Sequence, residues 1–246
     1  MFDNFPKIRP PLPIEMEEIY KSQYKSNREG ETAATSVSKK METWLHKQVA
    51  NDLAVASPKD SLKSTLELGA GTLNQLEYES TAQSYDIVEP FTELYQDSPF
   101  IDRVSNIYSD ISEVPSGARY DRITSVATLE HVCNLPEVIA RSGLLLDKNG
   151  TFRASIPSEG TLLWTLGWKL TTGLEYKFKY GLDYSLLMKH EHVNTAKEIE
   201  AVLTYFFSDV KCKVFGISKS ISFYQYYECY SPRVDRCHDF SAASHA

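Results

Sequence analysis

The stretch STLELGAGTLNQL runs from Ser64 to Leu76 and gives the clearest indication of the fold. It begins as an apolar strand, breaks on Gly69 and Gly71, and resumes with the composition of a short helix. A glycine turn between a strand and a helix is typical of a doubly wound sheet, in which ligands bind beyond the carboxyl ends of the strands. Glycine has no Cβ, so the backbone at this corner can approach a ligand closely. The stretch therefore predicts a cofactor site at the first turn of a parallel sheet.

Strand patterns and helix patterns alternate from residue 64 onward. Such alternation is typical of βαβ units, which build a parallel sheet with helices on both faces. The predicted strands are STLELG (64–69), SYDIVEP (84–90), VSNIYSD (104–110), YDRITSVA (120–127), GTFRASIP (150–157), DVKCKVFGI (209–217) and SISFYQYYECY (220–230). Helices are predicted for residues 15–24, 36–50, 135–150 and 195–207. We therefore predict an α/β fold: a doubly wound, Rossmann-like, seven-stranded, mostly parallel sheet with an antiparallel edge strand, N-terminal helices and a lid-like insertion after the fifth strand.

The composition is that of an ordinary globular protein. The net charge of −7 argues against a nucleic-acid partner, because such proteins usually carry a basic face. The four cysteines form no CxxC pair, which argues against a zinc site or a disulfide framework and favours a reducing compartment. No apolar run approaches membrane-spanning length, and the N-terminus lacks the apolar core of a signal peptide. We expect a cytoplasmic protein without a membrane span, with a homodimer as one expected assembly.

An acidic residue follows the second predicted strand and narrows the choice of cofactor. The nicotinamide fingerprint G-x-G-x-x-G would require a third glycine at position 74, where Asn74 stands. Glu89 lies twenty residues after Gly69 and can accept hydrogen bonds from both ribose hydroxyls of an adenosine. Asp110 follows the third strand, where it can accept from an adenine amino group. These residues favour an adenosine-bearing cofactor other than a dinucleotide.

Four motifs, LELGAGTLNQL, YDIVEP, YSDI and YDRITSVATLEHV, resemble in order and spacing those of class I S-adenosylmethionine-dependent methyltransferases over residues 62–160. The resemblance implies S-adenosylmethionine as cofactor. It places the methionine half among Glu67 and the glycines, the ribose at Glu89, and the adenine between Asp110 and Ile111. Leu73 stands where a third glycine often sits, and Asn74 is expected to act there as a polar cap. The complete expected cofactor set is Glu67, Gly69, Ala70, Gly71, Asn74, Glu89, Asp110, Ile111 and Val126.

The second half of the chain, residues 156–194, resembles methyltransferases of bacterial surface-polysaccharide and lipopolysaccharide biosynthesis, which suggests a sugar-type acceptor. The N/D-P-P-Y motif of many adenine and amide methyltransferases is replaced after the fourth strand by SVATLEH. We therefore predict methyl transfer to a hydroxyl of a sugar or related small metabolite. Two alternatives stay open: an N-methyltransferase acting on a small amine, and a non-catalytic cofactor-binding partner protein with the same fold.

Three histidines are candidates for the general base, because an unperturbed imidazole titrates near pH 7. His131 closes the LEH motif, and His190 and His192 flank Glu191 in MKHEHVN. His131 can instead fix its loop by a hydrogen bond. No third ligand is evident near His190 and His192, so we predict no metal site.

The insertion after the fifth strand is rich in aromatic residues. Because sugar rings present apolar faces, we predict that these side chains form one wall of the acceptor site. Trp164 and Trp168 are the substrate-side candidates, and a core or dimer contact is the alternative. Tyr24 and Arg28 of the N-terminal segment are expected to fold across the same opening, where Arg28 can reach a carboxylate or phosphate.

No internal repeat or linker divides the chain, so we expect a single methyltransferase domain over residues 1–246. Its expected parts are an N-terminal helical cap (1–60), a cofactor-binding core (62–157), an acceptor-side insertion (158–194), the last helix and strands (195–230) and a polar tail (231–246). The tail is predicted to be disordered.

Overall fold

The computed structural model describes residues 2–20, 36–55, 63–79 and 82–243. The strands are β1 (Lys63–Leu68), β2 (Ala82–Val88), β3 (Asn106–Tyr108), β4 (Tyr120–Val126), β5 (Leu146–Pro157), β6 (Phe207–Ser218) and β7 (Ile221–Pro232). The helices are α1 (14–20), α2 (Ser36–Val49), α3 (Asn51–Val55), α4 (Thr92–Tyr95), α5 (Leu135–Leu145), α6 (Leu162–Trp168), α7 (Leu174–Tyr180), α8 (Tyr184–Glu191), α9 (Ala196–Phe206) and α10 (Val234–Ala243). A π-helical turn, Lys169–Gly173, joins α6 to α7.

The strands form one sheet in the order β3-β2-β1-β4-β5-β7-β6. Strands β1 to β5 pair in parallel, whereas β7 runs antiparallel to both β5 and β6. The predicted α/β fold with a seven-stranded, mostly parallel sheet is confirmed. The antiparallel strand is β7, which lies just inside the outermost strand β6, because the tight β6–β7 hairpin returns the chain to β5.

One face of the sheet is apolar. Leu66, Ile123 and Phe152 are fully buried on it and pack in one core with residues of α5 and α9. Helix α9 is held at its start by a capping box, in which the Thr195 side chain accepts from the Glu198 N–H and Glu198 accepts from the Thr195 N–H. The sequence predicted this helix and its cap because the apolar residues recur at helical spacing after Thr195.

The opposite face carries two buried arginines. Arg122 of β4 pairs with Glu79 at 2.7 Å and with Asp52 at 3.0 Å. Arg153 of β5 donates to the main-chain oxygen of Val49 at 2.8 Å. Arg122 also donates to that oxygen, at 3.2 Å. The two guanidinium groups therefore fix the end of α2 against the sheet.

The predicted disordered tail is instead a helix, α10, and that prediction is wrong. Its sequence is mostly polar, but the side chain of Cys237 is fully buried in the main core. A Cβ on Gly143 of α5 would lie 2.8 Å from the Cys237 sulfur, so glycine at position 143 allows the two helices to approach. Only Cys237 and Phe240 of this helix pack against the main core, and two apolar positions in a polar segment are too few for sequence analysis to detect a helix.

Several predicted boundaries also differ from the structure. Helix α5 ends at Leu145 and β5 begins at Leu146, whereas the sequence predicted a helix to residue 150 and a strand only from there. The run of leucines at 144–146 spans the end of the helix and the start of the strand, and Leu145 and Leu146 are buried in the same core. Strand β3 is shorter than predicted.

The N-terminal strap, residues 2–20, crosses the molecule near the carboxyl end of β4. The Lys7 N–H donates to the Cys133 main-chain oxygen at 2.9 Å, and Phe2 packs edge-on against Tyr205. Met16 of α1 is buried with Tyr176 and Leu187 in a small core formed with the insertion. Among the described helices, none combines the length and the apolarity that crossing a bilayer requires.

Candidate active site

The glycine corner, residues 69–73, follows β1. Gly69 has φ +67°, and a Cβ there would lie 2.3 Å from the Thr128 methyl carbon. Gly71 has φ +52°, and a Cβ there would meet no atom within 4 Å among the described residues. Glycine at position 69 is therefore required by the packing of the loop after β4. The open side of the corner is at Gly71, where a ligand can approach the bare backbone.

Glu89, at the end of β2, holds this corner. Its Oε2 accepts from the Gly71 N–H at 2.9 Å, and its Oε1 accepts from the Phe91 N–H at 3.1 Å. The residue is 3% exposed. Each carboxylate oxygen can accept more than one hydrogen bond, so the carboxylate can bind a ligand hydroxyl while it fixes the loop.

The turn after the corner differs from the expectation for Asn74. Leu73, with φ +66°, is the residue before a short 3₁₀ turn, Asn74–Glu77, and Asn74 is the first residue of that turn rather than its cap. Leu73 adopts the left-handed conformation that glycine usually supplies, and it is fully buried with Ala70 and Ile87. Apolar burial therefore offsets the backbone strain at this position.

Glu67 lies on β1 inside the polar face of the sheet. It is 2% exposed and accepts a hydrogen bond from the Tyr85 hydroxyl at 2.8 Å. Burial raises the pKa of Glu67 to about 8, although the bond from Tyr85 favours the charged form. The side chain is therefore mostly protonated at neutral pH and acts as a neutral hydrogen-bonding group beneath the corner.

The remaining cofactor candidates lie at the carboxyl ends of β3 and β4, as the sequence predicted. Asp110 is exposed and accepts from the Ser112 N–H at 2.8 Å, while Ile111 is 4% exposed and belongs to the main core. Val126 is half-buried at the end of β4. Parallel strands place these ends along the edge of the sheet that also carries Gly71 and Glu89.

The histidine cluster, which we define as Glu130, His131 and His192, lies after β4. One oxygen of Glu130 and one ring nitrogen of each histidine lie within 4.8 Å of one another. The two imidazoles meet edge to face, with ring centroids 4.9 Å apart. His131 follows Thr128 by one 3₁₀ turn, which rises about 2 Å per residue, so the cluster lies close to the glycine corner.

Glu159, just after β5, positions His192. Its Oε2 accepts from the His192 Nδ1 at 2.8 Å and from the Trp164 indole N–H at 2.6 Å. Burial opposes protonation of His192, but the bond to Glu159 and the charges of Glu130, Glu159 and Glu191 outweigh it and raise the pKa of His192. The Trp164 ring stacks near the same imidazole, with centroids 6.3 Å apart. The first aromatic residue of the insertion thus reaches the cluster.

Glu191 and the N-terminal strap position His131. The His131 Nδ1 lies 2.9 Å from the Glu191 main-chain oxygen and 3.3 Å from its Oε2. Arg9 donates to the His131 main-chain oxygen at 2.8 Å, and the Tyr20 hydroxyl donates to the Glu191 carboxylate. Burial would raise the pKa of Glu191, but its bonds with His131 and Tyr20 and the charges of His131 and Arg9 lower it to about 2.

Other predicted site residues lie elsewhere. His190 does not join the cluster, because its Nδ1 bonds the Pro10 main-chain oxygen at 2.7 Å. Trp168 packs against Tyr184 within the insertion, with centroids 5.9 Å apart. Tyr24 and Arg28 lie outside the described residues. Sequence analysis missed the roles of Arg9, Glu130, Glu159 and Glu191. Only Glu130, which adjoins His131, and Glu191, which lies between His190 and His192, carried a signal.

No protein-family model matches the chain, and no curated protein matches its sequence. Solved structures match its fold. The plantazolicin methyltransferase BpumL, in complex with S-adenosylhomocysteine and a triazolic desmethylPZN analog, is 14% identical, has a TM-score of 0.58 and aligns over 88% of this chain and 93% of its own. The magnesium protoporphyrin IX methyltransferase of Synechocystis PCC 6803, with bound S-adenosylhomocysteine, is 13% identical, with a TM-score of 0.57 over 88% and 98%.

A third match is the N-methyltransferase NodS of Bradyrhizobium japonicum WM9, in complex with S-adenosylhomocysteine. It is 14% identical, with a TM-score of 0.53 over 82% of this chain and 90% of its own. At such low identity the likeness establishes architecture rather than activity. The chain has the fold of the S-adenosylmethionine-dependent methyltransferases.

Proposed function

We propose that the protein is an S-adenosylmethionine-dependent methyltransferase that methylates a hydroxyl of a sugar or related small metabolite. The observation that carries the proposal is the corner at Gly71, which is open to a ligand and held by the carboxylate of Glu89. An open backbone corner beside a carboxylate suits the ribose and methionine parts of the cofactor. The structures with this fold were obtained with S-adenosylhomocysteine bound, which supports the same cofactor here.

Bound S-adenosylmethionine supplies a methyl group on a good leaving group. The chain's own residues then have to hold the cofactor, orient the acceptor and exclude water. We assign the ribose to Glu89, the adenine to the space beside Asp110 and Ile111, and a position against the cofactor to Val126. The methionine half is assigned to Glu67, Gly69, Ala70, Gly71 and Asn74. In this proposal residues 62–157 are the cofactor-binding core and residues 158–194 cover the acceptor.

A hydroxyl acceptor is supported by the presence of proton-accepting groups beside the corner. A hydroxyl must lose its proton during transfer, whereas an amine acceptor needs no strong base. His131 and His192 lie together beside the segment after β4, where many adenine and amide methyltransferases carry N/D-P-P-Y. We assign the proton acceptor to this pair and leave His190 out of it. Trp164 is assigned to the acceptor wall because it bonds Glu159 beside His192.

The fold itself does not select the acceptor. Proteins with this architecture include a methyltransferase named for magnesium protoporphyrin IX and one named as an N-methyltransferase. A small amine is therefore the second candidate for the acceptor. A non-catalytic partner protein that binds the cofactor is the third candidate function. The looser likeness of residues 156–194 to polysaccharide-pathway methyltransferases is what favours a sugar.

Calorimetry with S-adenosylhomocysteine tests the cofactor assignment. Gly71→Ala is expected to weaken binding at least tenfold, because its methyl group enters the open side of the corner. Gly181→Ala is the matched control: Gly181 also has positive φ, +72°, and a Cβ there would meet no atom of the described residues within 4 Å, but it lies at the end of α7. Equal affinities in the two variants would contradict the proposed cofactor site.

Turnover tests the acceptor assignment. The wild-type chain with S-adenosylmethionine should release S-adenosylhomocysteine in the presence of hydroxyl-bearing sugars and not with small amines. Turnover with amines alone would refute methyl transfer to a hydroxyl and support an N-methyltransferase. Cofactor binding without turnover on either panel would favour the non-catalytic partner.

A further inference from the structure

We propose that the histidine cluster binds one divalent transition-metal ion through Glu130, His131 and His192. Their three potential ligand atoms lie within 4.8 Å of one another. Two ligands that are each about 2.1 Å from a shared ion lie about 3.4 Å apart in a tetrahedral site. A pair at the upper limit of the observed spacing therefore has to close by about 1.4 Å when the ion binds. The cluster brings the three ligand groups of a metal site to within that distance of its dimensions.

Glu130 supplies an unsatisfied carboxylate. The residue is 1% exposed, and its Oε2 has no hydrogen-bond partner among the described residues. Its main-chain oxygen is held by the Asn194 N–H at 3.0 Å, so the residue is fixed in place. A buried polar oxygen without a partner is costly, and buried carboxyl groups are normally hydrogen-bonded or coordinate metals. A cation bound at this oxygen would satisfy it.

The two imidazoles are oriented for metal binding by partners that can only accept. A main-chain carbonyl of Glu191 faces the Nδ1 of His131 at 2.9 Å, and the carboxylate of Glu159 faces the Nδ1 of His192 at 2.8 Å. Each Nδ1 must therefore donate a proton, so the Nε2 has a free lone pair whenever the ring is neutral, and an ion bound there takes the place of the second proton. Metal-bound histidines characteristically donate their other N–H to a carbonyl or carboxylate. Both histidines of the cluster have that arrangement.

The alternative without a metal is a direct hydrogen bond from an imidazole to Glu130. The His131 Nε2 lies 3.8 Å from the Glu130 Oε1. A charged N–H···O⁻ bond is normally about 2.7–2.9 Å long, so these atoms are too far apart to form one. The separation is better suited to an ion between the two groups.

Two imidazole nitrogens and one carboxylate oxygen suit ions such as Zn²⁺, Co²⁺ or Fe²⁺ and leave coordination positions open. The role of the ion rests on the proposed function. It would hold the acceptor hydroxyl and lower its pKa, replacing the imidazoles as the means of deprotonation. The hydroxyl proton passes to solvent, the oxygen forms the new O–CH₃ bond, and the S–CH₃ bond breaks to release S-adenosylhomocysteine.

The test uses the full chain after chelator treatment, titrated with Co²⁺ and followed by visible absorption, with Zn²⁺ as the competing ion. We expect one Co²⁺ per chain, displaced by Zn²⁺. Glu130→Gln and His192→Gln should each weaken the affinity by more than a hundredfold. Glu159→Gln should weaken it about tenfold, as expected for an outer-shell partner. His190→Gln is the matched control and should bind as the wild type does, because His190 lies in the same segment but bonds Pro10.

Absence of Co²⁺ binding by the wild-type chain would overturn the proposal, and so would stoichiometric binding that survives both Glu130→Gln and His192→Gln. Thermal unfolding of each variant establishes that it is folded. S-adenosylhomocysteine affinity, measured on the metal-free chain, separates this proposal from the preceding one. If the chain binds the cofactor but no metal, only the metal-site proposal is refuted. If it binds metal in a way that the variants weaken, but does not bind the cofactor, only the methyltransferase proposal is refuted.

Discussion

The glycine corner and the histidine cluster both adjoin the loop after β4, but they are built in different ways. The corner depends on main-chain conformation at Gly69, Gly71 and Leu73 and on one carboxylate that accepts main-chain N–H groups. The cluster depends on side chains that come from separate segments and bond one another. Changes in the corner should therefore damage the fold together with cofactor affinity. Changes in the cluster should alter chemistry while the fold persists.

The largest loss of stability is expected for Gly69→Val. The new Cβ would collide with Thr128, and the residue would have to keep φ +67°. Overpacking and left-handed backbone strain each cost about 1–3 kcal/mol, so the free energy of unfolding should fall by about 3 kcal/mol or more. Chemical denaturation measures this loss. Adding Thr128→Ala should restore part of it, and a double variant as unstable as the single one would show that the collision is not the cause.

A smaller effect on the fold and a clear effect on affinity are expected for Glu89→Ala. The substitution leaves the N–H groups of Gly71 and Phe91 without their acceptor. Hydrogen bonds to a charged group contribute roughly 1.5–3 kcal/mol each, but neither residue is buried, so water can replace the carboxylate and the net loss is smaller. The melting temperature of the cofactor-free chain should fall, and affinity for S-adenosylhomocysteine should weaken at least tenfold. An unchanged melting temperature would show that the carboxylate does not hold the loop.

Glu67→Gln should stabilise the cofactor-free chain in a pH-dependent way. The folded-state pKa of about 8 exceeds the usual value of 4.5, so the folded chain retains a proton that the unfolded chain releases. Stability of the wild type should therefore fall as pH rises from 4.5 to 8, by up to about 1.4 kcal/mol per pH unit. Glutamine does not titrate and can still accept from Tyr85. Urea unfolding at pH 5 and pH 8 should show a larger gain at pH 8, and equal gains would contradict the raised pKa.

The smallest effect is expected for Trp164→Phe, on the cluster side. It removes the indole N–H that bonds Glu159 and keeps most of the ring. A net hydrogen bond is worth about 1 kcal/mol, so turnover should fall about fivefold with cofactor affinity unchanged. Trp168→Phe is the matched control, because the Trp168 indole N–H has no hydrogen-bond partner among the described residues. Equal losses in both variants would assign the effect to packing of the insertion.

The corner could be predicted from sequence because its residues are local. Gly69 and Gly71 directly follow a strand, and Glu89 ends the next one, so strand patterns alone bring them together. The cluster could not be predicted in the same way. His131 meets a residue 60 positions later, and His192 bonds one 33 positions earlier, so their meeting depends on how the insertion returns to β4. Sequence analysis looked for a third ligand near His190 and His192, whereas the fold pairs His192 with His131 and Glu130.

The anchoring of α2 by two buried arginines has a consequence for the order of folding. Arg122 and Arg153 bond the Val49 main-chain oxygen across 73 and 104 residues of sequence. During synthesis α2 is therefore made long before the strands that hold it, and we expect it to dock only after β4 and β5 have paired. Pulse-labelled hydrogen exchange during refolding should protect the amides at the end of α2 no earlier than those of β5. Earlier protection would mean that α2 nucleates the fold without its arginine anchors.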